Sequence, residues 1–461
     1  MRQASGRRVI GRSMAILNSR VVRLFSSSIL VGIIVGIVGS GFRYLLAEAD
    51  QLRNALVYWL REWPHIGWMI PVVLGALAAG LARIMVVVFS PSAGGSGVQY
   101  VEAVVSGQKN SPSLAVVPVK FIGGLLAIGS GLALGREGPT VQMGASLGTL
   151  VSRFLVPDED DHKILHASGA GAGLAVAFNT PIGGAVFVFE ELVRSFAPML
   201  MIATLAAISV AVWLMRMFLG NVMDFTVKSD GSIHVWHLWT FLILGMILGA
   251  VGAFFNAVTV ALLSLSDHLS NFSSVNRAVF IGGVIGVVVW LAPTLVGGGE
   301  ALTQAVLVDR YATGGLLFIF LVRFLLGPWS YVAGTPGGLF APLLVVGASF
   351  GALFAALLNL LIPAMGLPSV AFALAGMAAL FTASVRAPLT GIVLVVEMTG
   401  RGDLTLALLV ASAGAMVVAM MLKSEPIYES LKRRMLQQPM VQGSSPGLIP
   451  RLRESSSLQS R

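Results

Sequence analysis

"PTVQMGASLGTL" (139–150) and "PLLVVGASFGALF" (342–354) carry the same pattern 203 residues apart: a proline, then Gly-Ala-Ser-x-Gly. That offset also pairs Lys120 of "PVKFIGG" with Arg323 of "LVRFLLG". Further on, "PIGGAVFVFEE" (181–191) matches "PLTGIVLVVEM" (388–398) at an offset of 207, aligning Glu190 with Glu397. A nearly constant offset is not what unrelated apolar sequence produces. The chain therefore divides into two homologous halves, 25–219 and 238–431, joined by a polar linker at 220–237. A basic segment at 1–24 precedes them, and a basic tail at 432–461, expected to be disordered, follows.

The halves are built for lipid. Of 461 residues, 56% are hydrophobic and 11% charged, with mean hydropathy +0.86; a soluble chain carries roughly 25% charged residues. Apolar stretches begin near 29–48, 68–89, 114–134 and 164–189. They continue near 197–219, 238–264, 277–297, 314–333, 339–363 and 404–422. With 53 glycines and 20 prolines, many helices are expected to be partial or broken. Backbone of that kind survives at membrane depth only where protein covers it or where it lines a cavity. The expectation is an all-α polytopic membrane protein in which the lipid bilayer is a partner. Paired halves with interruptions at matching positions characterise transporters that bind substrate at the repeat interface. Inversion of one half against the other requires an odd number of spans between them, which hydropathy leaves open.

The net charge of +9 sits mostly at the ends and in connecting segments. Arg2, Arg7, Arg8, Arg12, Arg20 and Arg23 precede the first span, and Lys423, Lys432, Arg433 and Arg434 follow the last. By the positive-inside rule both termini are cytoplasmic, and this reading displaces nucleic-acid binding. No cleavable signal is read at the N-terminus, and no soluble domain of useful size is expected. The absence of cysteine excludes disulfides, thiolate metal sites and a Cys nucleophile. No metal or other cofactor is expected.

Three glycine-rich turns precede apolar runs: "SAGGSGVQY" (92–100), "GREGPTVQ" (135–142) and "GTPGGLFAP" (334–342). Glycine permits close backbone approach, and proline is favoured in a first helical turn. A helix starting there offers free N–H groups and a positive dipole end, which bind anions without a full charge. Three such starts meeting at mid-depth would make an anion site. Glu137 lies within the second. A carboxylate in lipid costs about 2.5–3.5 kcal/mol on insertion scales, so an acid there is functional by default. Ionised, Glu137 fills the place an anion would take; protonated, it leaves that place open. Gate and proton carrier are then one side chain. The structural alternative is an ion pair with Arg136.

Other patterns compete. "GASLG" (144–148) and "GASFG" (347–351) fit the G-x-S-x-G nucleophile elbow, which would make a membrane serine hydrolase. That reading needs a histidine near Ser146 or Ser349. All six histidines (His65, His162, His166, His234, His237, His268) fall in or beside polar connecting stretches. Close helix packing explains the repeated small residues better, so no enzyme is expected. "SGAGAGLA" (168–175) lacks the βαβ context of a dinucleotide site. His162 and His166, spaced i, i+4 beside "PDEDD", are assigned to a solvated cytoplasmic loop rather than a metal site. For Lys120 and Arg323, an anion path and a structural charge both fit.

In order along the chain, "GSGVQ", "GREGPTVQ", "GLAVAFNTPIGG", "FVFEEL", "GGLFAP", "PLTGIVLVVEMT" and "PIYESL" resemble the CLC family of chloride channels and proton/chloride antiporters. The likeness covers about residues 30–430. It implies two inverted-topology repeats with broken helices, a homodimer with one pore per subunit, and a multi-pass location in the bacterial inner membrane. By resemblance, Ser96 and Tyr428 face a chloride ion, with Gly138, Leu339 and Phe340 contributing from the helix starts. Glu137 resembles the external gating glutamate, and Glu191 falls where proton-coupled members carry an internal glutamate. Both acids favour exchange of chloride for protons over a passive, voltage-gated channel. An electrical shunt in acid resistance is the role that bacterial relatives suggest. A proton-coupled transporter of organic solutes is the rival from another class. Where the family's usual motif is "GSGIP", Gln99 replaces the proline; a looser turn is the expected consequence.

Overall fold

The computed structural model describes residues 2–63, 65–227, 234–268 and 273–437, with side chains described from Ser19 onward. Among the described residues there are seventeen α-helices and no strands. The first half contains α1 (Arg2–Leu60), α2 (Met69–Phe89), α3 (Val98–Val105), α4 (Val116–Gly129), α5 (Glu137–Leu155), α6 (Glu159–Phe178), α7 (Pro181–Phe187) and α8 (Pro198–Leu219). The second contains α9 (Leu238–His268), α10 (Ser274–Leu291), α11 (Glu300–Leu307), α12 (Thr313–Tyr331), α13 (Phe340–Leu361), α14 (Ser369–Val385), α15 (Pro388–Thr399) and α16 (Thr405–Met421). A last short helix, α17 (Ile427–Gln437), lies outside the repeat.

The halves correspond helix for helix, α1 to α9 through α8 to α16. The short helices α3 and α11 are both eight residues long. Each follows a glycine at φ +93°, Gly97 or Gly299, with another left-handed glycine two residues earlier. Such backbone is open to glycine and strained for other residues.

Counterpart helices run antiparallel across the repeat interface, which establishes the inversion. Side chains placed at Gly75 and Gly286 would strike the Gly282 and Pro71 carbonyls, so rising numbers on α2 meet falling numbers on α10. The same holds for α7 and α15. Glu190, on the π-turn ending α7, accepts from Leu389 N at 3.0 Å and Thr390 N at 2.7 Å. Glu397, near the end of α15, accepts from Ile182 N at 3.1 Å and Gly183 N at 2.7 Å. Each acid thus satisfies the orphan donors of the other helix's first turn.

The Gly-Ala-Ser-x-Gly segments are packing surfaces. A side chain at Gly144 would strike the Gly169 carbonyl, and one at Gly347 the Gly376 carbonyl. Ser146 and Ser349 donate to their own helices, at Gln142 O (2.8 Å) and Val345 O (2.9 Å). Among the described residues, eight helices are long and apolar enough to cross a membrane. Their outward faces expose residues such as Leu77, Val88, Phe280 and Leu321, as contact with lipid requires.

Several boundaries differ from expectation. The apolar stretch 164–189 is two helices, broken where Asn179 takes φ +54°. The stretch 114–134 holds only the fourteen-residue α4. No break separates the basic segment 1–24 from the first span, because α1 is continuous. Within the linker 220–237 and the tail 432–461, residues 228–233 and 438–461 lie outside the described residues. His162 and His166 are on α6, not a loop. His166 is buried, with Nδ1 2.7 Å from Thr149 Oγ1. Thr149 sits one turn beyond Ser146 on α5, and its hydroxyl, rather than Ser146's, takes the histidine.

Candidate functional site: an anion path at crossed helix starts

Four backbone hydrogen bonds lace the three glycine-rich turns together. Gly95 N donates to Thr335 O and Gly337 N to Gly95 O, both at 3.1 Å. Gly135 and Gly338 exchange N–H···O bonds at 2.8 Å each. Residues 203 to 242 positions apart in sequence are thereby fixed in one small bridge, and the starts of α3, α5 and α13 converge. Gly138 is pressed so closely on Ser96 that a Cβ there would lie 2.5 Å from the Ser96 hydroxyl.

Lys120 and Arg323, left between two readings by the sequence, are structural. Fully buried Lys120 donates from Nζ to Gly95 O at 2.7 Å and Ser96 O at 2.9 Å. Arg323 does the same in the other half, donating to Leu295 O, Gly297 O and Gly298 O at 3.0 Å each. Each cation draws a turn's carbonyls to one side, which aims the following N–H groups to the other, since a peptide's C=O and N–H point oppositely. The turn of α3 is also not loose. Gln99 reaches back so that its Oε1 accepts from Gly97 N at 3.2 Å, and Tyr331 Oη accepts from Ser96 N at 3.2 Å. A side-chain tether takes over the restraint a proline ring would give.

Glu137 is 1% exposed. Its Oε1 accepts from Phe340 N at 2.8 Å and Ala341 N at 3.2 Å, the first donors of α13. Oε2 is buried and finds no partner among the described residues. The Ser96 and Tyr428 hydroxyls are likewise buried without a partner there. Leu339 and Phe340 are buried beside them, with the Phe340 ring between Phe178 (centroids 5.0 Å apart) and Phe381 (4.5 Å). Two unpartnered hydroxyls in an apolar wall are an incomplete set of donors, and a carboxylate occupies the adjoining N–H groups. That is the arrangement expected of an anion path with one station filled by the protein itself. Glu137 does not pair with Arg136 in this structure: Arg136 turns to Asp224 at 3.3 Å and Glu300 at 3.8 Å.

Glu191 sits on the π-turn Val188–Leu192, 4% exposed. It faces Glu102 of α3, also 4% exposed. Lys432 of α17 lies 3.6 Å from Glu102 and 2.6 Å from Glu429. Glu102 and Lys432 meet only through folding, so no local pattern in the sequence joins them to Glu191. On the Arg136 side, a cavity of about 530 Å³ opens, lined in part by Arg43, Arg53, Arg136, Asp50, Asp224 and Glu300. The turn 297–299, partner of 95–97, was also missed, although its glycines stand at a constant offset.

A sequence model described as "Voltage gated chloride channel" matches residues 74–420. The chain belongs to this family, the CLC proteins. A Vibrio parahaemolyticus protein, "H(+)/Cl(-) exchange transporter ClcA", is 38% identical over 419 residues, covering 88% of this chain and 89% of its own. Its Vibrio cholerae namesake is 36% identical over 430 residues, covering 90% of each. Among solved structures, a slow cyanobacterial Cl⁻/H⁺ antiporter superposes with TM-score 0.87 at 32% identity, covering 90% of this chain and 99% of that one. A CLC-type fluoride/proton antiporter shares the fold at 20% identity, with TM-score 0.73 and coverage of 88% and 97%.

Proposed function

We propose that this chain exchanges chloride for protons across a bacterial inner membrane, as a homodimer with both termini in the cytoplasm. The observation that carries the reading is the Glu137 carboxylate on the Phe340 and Ala341 amides, with the free Ser96 and Tyr428 hydroxyls beside it. A chloride ion needs the same donors as a carboxylate oxygen. Chloride arriving at the amides displaces Glu137, and protonation of Glu137 removes its charge and its claim on them. Proton and chloride thus compete for one place from opposite sides of an equilibrium.

Glu191 and Glu102 supply the other end of the proton route. Two buried carboxylates that face each other favour a state in which one carries a proton, since burial and like-charge repulsion both disfavour two charges there. Lys432 offsets part of the remaining charge. A passive channel has no use for this second buried acid pair, which favours exchange. An organic-solute transporter would need a larger pocket between the crossed helix starts than these close backbone contacts leave. Nothing in the reading requires an enzyme's bond-making chemistry.

The test uses purified protein in liposomes under a chloride gradient with no initial proton gradient. Proton movement driven by chloride, and abolished by Glu191→Gln, supports exchange. Chloride flux with no proton movement would leave a channel, and absence of anion flux would overturn the chloride reading.

A further inference from the structure

Glu300 repeats the geometry of Glu137 at the other end of the second half's glycine turn. Each glutamate opens its helix, Glu137 for α5 and Glu300 for α11. Each carboxylate folds back over the glycine two residues earlier; a Cβ at Gly298 would lie 2.5 Å from Glu300 Oε2. Unlike Glu137, Glu300 is held by no backbone N–H among the described residues, and its side chain is 29% exposed. It lines the 530 Å³ cavity together with Arg136. It also lines a small void bounded by Phe178, Ala341 and Leu344, directly behind the amide that holds Glu137. Glu300 therefore lines both the open cavity and a void that reaches Ala341, one of the residues whose amides hold Glu137.

The charges around it are balanced. Arg43, Arg53 and Arg136 face Asp50, Asp224 and Glu300 in the cavity wall. Asp224 is shared between Arg43 and Arg136, and Arg323 is committed to the carbonyls of the turn beneath Glu300. Arg136, next to the gate in sequence, has its Nε buried without a hydrogen bond, 3.8 Å from Glu300 Oε1. Within this wall, Glu300 is the carboxylate that water reaches most easily while still touching Arg136.

Resting on the exchange reading, we propose that Glu300 is a positioning residue that sets chloride capture at this mouth by neutralising Arg136. With Glu300 in place, Arg136 presents little net charge to an approaching anion. Without it, Arg136 keeps only a half share of Asp224 and attracts chloride to the threshold of the Glu137 station. Charge in a cavity with low-dielectric walls acts strongly on the local anion concentration.

The test is a sided chloride titration of transport currents in planar bilayers, at low and high ionic strength. For Glu300→Gln, the KM for chloride on the Arg136 side should fall about threefold to tenfold at low ionic strength. The shift should shrink in high salt, with maximal rate and proton coupling unchanged, and Glu300→Asp should restore the original KM. Arg136→Gln should raise KM, and Glu300→Gln should add little to it in the double variant. An unchanged KM, a shift indifferent to salt, or additive effects in the double variant would overturn the assignment. Loss of proton coupling in Glu300→Gln would overturn it too, by making Glu300 part of the proton route. A wild type that moves no protons would contradict the exchange reading and leave the KM comparison standing.

Discussion

The carboxylate of Glu137 lies 2.8 Å from the backbone nitrogen of Phe340, and 203 residues separate the two. That separation is the repeat offset itself: Glu137 opens α5, and Phe340 opens its counterpart α13. The first carboxylate of one half's helix is held by the helix start of the other. Removing the carboxylate should therefore free the α13 donors permanently. Glu137→Ala and Glu137→Gln should both keep chloride flux and reduce chloride-driven proton transport at least tenfold, roughly the effect of deleting an acid–base group. Simultaneous fluorescence readings of chloride and pH in liposomes check this.

The Ser96 and Tyr428 hydroxyls await an acceptor. A hydrogen bond to a charged partner contributes about 1.5–3 kcal/mol. Ser96→Ala and Tyr428→Phe should each weaken chloride binding by about tenfold or more, measured by calorimetry on purified protein. Their melting temperatures should change little, because neither hydroxyl bonds to a backbone or charged group among the described residues.

Lys120 holds two carbonyls of the α3 turn, Gly95 O and Ser96 O. Lys120→Met should destabilise the fold by about 3 kcal/mol, at 1.5–3 kcal/mol for each charged hydrogen bond less what the methionine's packing returns. Thermal unfolding in detergent checks it, and Arg323→Met should behave alike. A role in conduction would instead leave stability intact and change flux.

Ser146→Ala should alter neither transport nor stability by more than about 0.5 kcal/mol, since its hydroxyl only back-bonds to Gln142 O. Gly144→Val should prevent α5 from closing on α6, because the new side chain meets the Gly169 carbonyl. Size-exclusion profiles and thermal melts separate these outcomes. A hydrolase would show the reverse sensitivity at Ser146.

Much of this was legible in the chain. Repeated spacing gave the two halves, and glycine-bracketed turns located three of the helix starts that converge around Glu137, because turns of that kind are local chemistry. The inversion could not be counted from hydropathy and came with the family resemblance; the structure shows it where α2 meets α10 and where Glu190 and Glu397 cap each other's helices. Glu102 and Lys432 belong to helices far apart in sequence, so no local pattern joins them. His166 misled because a histidine four residues from another, beside acids, looks solvated until Thr149 of a neighbouring helix covers it. Gln99 was misjudged for a related reason, since residue type alone does not disclose that the side chain reaches back to Gly97 N.

The central claim is that one site binds chloride and a proton alternately. The most direct measurement is the reversal potential of reconstituted protein under independent chloride and proton gradients. Coupled exchange predicts a reversal potential that moves with the proton gradient at fixed chloride, and that returns to the chloride equilibrium value in Glu137→Ala. A wild-type reversal potential that stays at the chloride equilibrium value whatever the proton gradient would contradict the account.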